Sequence, residues 1–110
     1  MRRVVSSSEI VGTCECQGMS MDVSAHSDAY YDESTGSLVV KLTAEAEPAD
    51  IEFHSSWPRP DWLPAKQTVE EHLPYEDCLT EAKEIFRSWA RKVRGAIPAK
   101  TETIQERRNV

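Results

Sequence analysis

A chain of 110 residues with 39% hydrophobic and 29% charged side chains has room for one core, and it is too apolar for a disordered segment. No apolar run approaches the roughly 18 residues that a membrane-spanning helix needs. The net charge is −6, and it is unevenly spread: residues 1–75 hold five Lys/Arg against thirteen Asp/Glu, whereas residues 76–110 hold eight against six.

An acidic body repels phosphate, so nucleic-acid binding through it is disfavoured. The start, Met1-Arg2-Arg3-Val4-Val5, lacks the apolar stretch of a secretory signal. Cys14, Cys16 and Cys78 are an odd number of thiols, and a link between Cys14 and Cys16 along one strand would be strained. Reduced thiols and a cytoplasmic location are the expectation.

Residues 1–8 read as a flexible start or a short edge strand, residues 9–98 as one domain, and residues 99–110 as a disordered tail without apolar period. Residues 9–16 and 19–25 form a hairpin around Gln17-Gly18, where glycine tolerates the turn. In that register Cys16 faces Met19, Cys14 faces Met21, Gly12 faces Val23 and Ile10 faces Ala25, all on one face. Val11, Thr13, Glu15, Ser20, Asp22 and Ser24 take the other. The second strand continues through Ser27, Ala29 and Tyr31. Asp32-Glu33-Ser34-Thr35-Gly36-Ser37 is a turn signal. Leu38, Val40 and Leu42 then mark the inward face of a third strand.

Residues 44–49 are acidic, carry Pro48 and read as a connection. Residues 50–57 alternate again, which predicts a fourth strand. Trp57-Pro58-Arg59-Pro60-Asp61-Trp62-Leu63-Pro64 cannot be regular structure, because its prolines remove donors and fix φ. Residues 68–73 suggest a helical turn before Pro74. From Tyr75 to Ala96 the apolar stripe Leu79, Ala82, Phe86, Trp89 and Val93 has helical spacing, with Ile85 and Ala90 beside it. Glu76 and Asp77 in the first turn and Arg91, Lys92 and Arg94 near the last suit the helix dipole. Gly95 and Pro98 are the stop signal. The expected fold is α+β: an antiparallel meander of about four strands against one long C-terminal helix.

No nucleophile elbow, phosphate-cradling glycine loop, zinc-protease motif or dinucleotide fingerprint is present. The sequence therefore leans away from an enzyme and calls for no cofactor. A non-catalytic protein-interaction module is the leading reading. Self-association through a sheet edge or the helix is one form such an interaction takes. Trp57, Arg59 and Trp62 in the proline loop and Arg91 and Arg94 on the helix are the candidate anchors, since Trp and Arg dominate interface energetics. Two alternatives stand beside it. Cys14, Cys16, Met19 and Met21 place soft sulfur on one face, and His26 and His54 point to the opposite one, so either group is a candidate metal or acid–base site. The bland readings are core sulfur and solvated histidines. The basic helix end and tail supply the third reading, single-stranded nucleic-acid binding.

Overall fold

The computed structural model describes residues 1–16, 18–48 and 59–98. Four strands, β1 (Arg2–Cys16), β2 (Met19–Asp32), β3 (Ser37–Pro48) and β4 (Gln67–His72), precede one helix, α1 (Tyr75–Ala96). The strands pair antiparallel in chain order, β1-β2-β3-β4. This is the expected meander with its C-terminal helix. Among the described residues no helix is long and apolar enough to cross a membrane.

Alternation explains β2 and β3. In β2, Met21, Val23, Ala25, Ser27 and Ala29 are buried, and the residues between them are half-buried on the other face. In β3, Leu38, Val40, Leu42 and Ala44 do the same, with Lys41, Thr43 and Glu45 exposed. The turn between them closes as its composition predicts. Thr35 and Gly36 amides donate to Asp32 O, and Gly36 takes φ +68°. The Ser34 hydroxyl and amide both donate to the Asp32 carboxylate, which holds that carboxyl below its ordinary pKa.

β1 departs from the expected register. Cys16, Cys14 and Gly12 face Met19, Met21 and Val23 as the hairpin requires, but Ile10 faces Ser24, not Ala25. A bulge at Val11 absorbs one residue. Val11 therefore turns inward, 6% exposed, and Ile10 stands outward, 62% exposed, the reverse of the simple alternation. A second register shift falls between Arg3 and Val5.

Two assignments change in the middle of the chain. Residues 44–48, expected as a connection, extend β3, because β2 is long enough to pair with them as far as Met21↔Pro48. Pro48 is tolerated at the last position of the strand. Residues 67–72, expected to hold a helical turn, form β4 against residues 37–42 of β3. One inward apolar residue, Val69 opposite Val40, carries that pairing, too little for a legible period. The strand expected at residues 50–57 lies outside the described residues.

The core lies between α1 and the inner face of the sheet. Ala82, Trp89, Ala90 and Val93 are buried from the helix side. Leu79 is not: it is 45% exposed, and Cys78 takes the buried seat one position earlier. The helix lacks a side-chain N-cap, and it runs through Gly95 to Ala96 with Ile97 as C-cap. Gly95 is thus an ordinary helical residue and not the stop. Ile97 reaches back over β1, where a Cβ on Gly12 would lie 2.8 Å from Ile97 Cδ1. The Trp89 indole Nε1 donates to Thr43 O at 2.7 Å, which satisfies a β3 carbonyl just past the last β4 pair, Leu42↔Gln67.

Candidate functional site

The outward face of the sheet carries a row of polar side chains set by register. Ser8 on β1 opposes His26 on β2, which opposes Thr43 on β3. Ser8 Oγ lies 2.6 Å from His26 Nδ1, and Glu45 Oε1 lies 3.6 Å from His26 Nε2. That second distance is too long for a hydrogen bond, so Nε2 is shielded from solvent without a partner. One step along, Ser6 Oγ donates to Asp28 Oδ1 at 2.6 Å, and the Arg3 guanidinium bonds Ser6 and lies over the Tyr30 ring. A shallow depression of about 350 Å³ lies over Ser6, Ser8, His26, Asp28, Thr43 and Glu45.

Serine, histidine and carboxylate in one row are the residue types of a nucleophilic relay. The geometry does not assemble one. The carboxylate stands off the ring, and among the described residues the strand that carries His26 pairs with both its neighbours. The row is a cross-strand polar ladder. His54, the expected companion of His26, lies outside the described residues.

Of the sulfur residues, Cys14 and Met21 lie opposite each other within the core. Met21 is fully buried, Cys14 is 8% exposed, and Met19 is half-buried opposite Cys16. Among the described residues no group of three His, Cys, Asp or Glu side chains is placed to hold a metal ion. Cys78 is fully buried, with its Sγ 3.5 Å from Pro74 O. Burial, then the charges of Asp77 and Glu76, push this thiol above its ordinary pKa, the opposite of an activated nucleophile.

Of the candidate anchors, most are used inside the fold. Arg59 donates to Ala44 O at 3.0 Å and to Pro64 O, clamping its loop onto β3. Trp62 is half-buried against the core. Arg94 Nε donates to Val11 O at 3.2 Å, at the β1 bulge. Arg91 alone among the described candidates is simply exposed. Trp57 lies outside the described residues.

Two further surfaces stand out, a sheet edge of the kind the sequence suggests and a groove it does not. The first is the outer edge of β1, a strand of 15 residues that pairs with β2 on one side only among the described residues. The second is a groove between β4 and α1. Its floor is Leu42, Val69, Ile85 and Trp89, its helix-side rim is Glu81, Glu84 and Lys92, and its volume is about 330 Å³. Beside it, hydrogen bonding to Glu71 of β4, the charge of Glu71 and desolvation raise the Glu81 carboxyl above its ordinary pKa. The spacing of Glu81, Glu84, Ser88 and Lys92 is a helical stripe visible in the sequence, but the opposite wall, β4, carries no local strand signal. Comparison with known proteins finds no matching family, no similar curated protein and no matching solved structure.

Proposed function

We propose that this chain is a non-catalytic protein-interaction module that works by strand addition at the outer edge of β1, and that its partner is a second copy of itself. The observation that carries the reading is the length of that edge. A strand of 15 residues extends roughly 50 Å, and among the described residues no strand pairs with its outer side. Such an edge is a template for another strand. Bulges commonly protect edges, but here they fall between Arg3 and Val5 and between Ile10 and Gly12, which leaves residues 5–10 regular. That stretch has the typical length of a strand.

Charge favours self-pairing in one orientation. Arg2 and Arg3 open β1, where they pair at the surface with Glu33 and Asp28 of their own chain and would exchange those partners, and Glu9 and Glu15 lie farther along. Antiparallel pairing about a two-fold axis brings the arginines of one copy toward the glutamates of the other. The serines at 6, 7 and 8 are small enough to let a second backbone approach. The same features weigh against single-stranded nucleic acid, since the strands are acidic and Arg94 and Arg59 are engaged within the fold.

Light scattering after size exclusion, run across a concentration series, tests the reading. The expected mass is twice 12.4 kDa, with hydrogen exchange at β1 amides slowing as the dimer fills. A monomer at every concentration, with β1 amides exchanging at an unchanged rate, would overturn it.

A further inference from the structure

The geometry points to the groove between β4 and α1 as a binding site for a basic peptide segment. One apolar side chain of the segment fills the floor, and the lysine or arginine beside it is held by Glu81 and Glu84. The site exists because α1 packs on β1, β2 and β3 and does not reach β4. The inward side of β4 is thereby left without a helix over it, and Val69 and Leu42 form an apolar floor with Ile85 and Trp89. About 330 Å³ is the low end for ligand sites, room for one or two side chains and not for a large cofactor.

Charge selects the occupant. Two carboxyls, Glu81 and Glu84, stand on the helix-side rim of the groove. A guanidinium or ammonium beside them is held by both, and Glu71 of β4, whose hydrogen bonding and charge raise the Glu81 carboxyl above its ordinary pKa, adds to the negative field there. Lys92 stands two helical turns from Glu84, roughly 12 Å along the axis. It repels a second cation and so fixes the direction in which the segment lies. The acidic balance of residues 1–75 draws basic segments toward the site. This inference is independent of strand addition, because the groove and the free edge of β1 lie at opposite sides of the sheet.

The test is an NMR titration of the full-length ¹⁵N-labelled chain with the hexapeptide acetyl-Gly-Ser-Phe-Arg-Ser-Gly-amide. Saturable shifts are expected at the Val69 and Ile85 amides and the Trp89 indole. Replacing the peptide's Arg by Glu, or its Phe by Ser, should weaken binding by about tenfold or more. The double variant Glu81→Gln, Glu84→Gln should weaken the Phe-Arg peptide by a similar factor, with an unchanged circular dichroism spectrum showing that it folds. Equal binding of the Phe-Glu peptide, no groove shifts at millimolar peptide, or full affinity in the double variant would each overturn the inference. None of those results bears on the mass of the protein in solution.

Discussion

The bulge at Val11 makes a prediction that simple strand alternation reverses. Val11→Ala removes buried methyl groups from a side chain only 6% exposed. At ~0.8 kcal/mol per buried methylene, plus the cavity left behind, the cost is about 2–3 kcal/mol. Ile10→Ala removes more carbon, but from a side chain 62% exposed. Its cost is the few tenths of a kcal/mol of lost strand preference, at most about 0.5 kcal/mol. For a domain of this size each kcal/mol moves the midpoint by roughly 4–8 °C. Val11→Ala should therefore lower Tm by about 10 °C or more, and Ile10→Ala by no more than about 4 °C. Thermal and urea unfolding followed by circular dichroism, at one fixed protein concentration, reads both. If Ile10→Ala costs as much as Val11→Ala, the inward register runs unbroken through Ile10 and the bulge is not there.

Two further substitutions test the helix and the groove. Trp89→Phe deletes the donor to Thr43 O and should cost about 1–3 kcal/mol in urea unfolding; a loss below about 0.5 kcal/mol would mean that the 2.7 Å contact contributes nothing. Glu81→Gln should raise Tm at pH 7. The native carboxyl has a raised pKa, so the folded state holds its proton more tightly than the unfolded chain does. Stability from this group is present below the ordinary glutamate value of about 4.3 and is lost as pH climbs through the raised one. The advantage of the glutamine should fade as pH is lowered toward 4, and a glutamine variant less stable than the parent at pH 7 would contradict the carboxyl pair.

The elements with strong local signals were legible. Tyr75–Ala96 declares itself by its apolar stripe, and the turn at Asp32 by its composition. The sulfur hairpin is readable to Gly12 because alternation and a glycine turn agree. Beyond that, tertiary pairing decides what local pattern cannot. Nothing local to residues 67–72 marks them as a strand; β3 supplies the partner that makes them one. No residue type announces a bulge, so Ile10 and Val11 exchange faces unseen. Leu79 lost its seat to Cys78 because helical spacing fixes the stripe only to within one position, and the packing onto the sheet fixes the rest. His26 lies on the outward face of β2 as alternation predicts, but its neighbours Ser8 and Glu45 depend on cross-strand register.

The lateral position of α1 ties the core to the groove. A helix is about 10–12 Å across and strands are spaced by about 4.8 Å, and here α1 packs on β1, β2 and β3 and not on β4. Which edge stays open is decided by contacts at the helix ends. Ile97 lies over Gly12, Arg94 bonds Val11 O, and Tyr75 meets Tyr31 edge to face under the Arg2 guanidinium. All of these pull α1 toward β1 and β2 and leave β4 uncovered. The absent side chain at Gly12 is part of that pull. In Gly12→Ala the new Cβ meets the flexible Ile97 methyl, so the cost in stability is small, about 1 kcal/mol or less. The helix end shifts toward β4 instead, and the groove narrows. Peptide titration of Gly12→Ala should then show weaker binding with Glu81 and Glu84 intact. Unchanged affinity would mean that the breadth of the sheet alone, and not this anchor, sets the width of the groove.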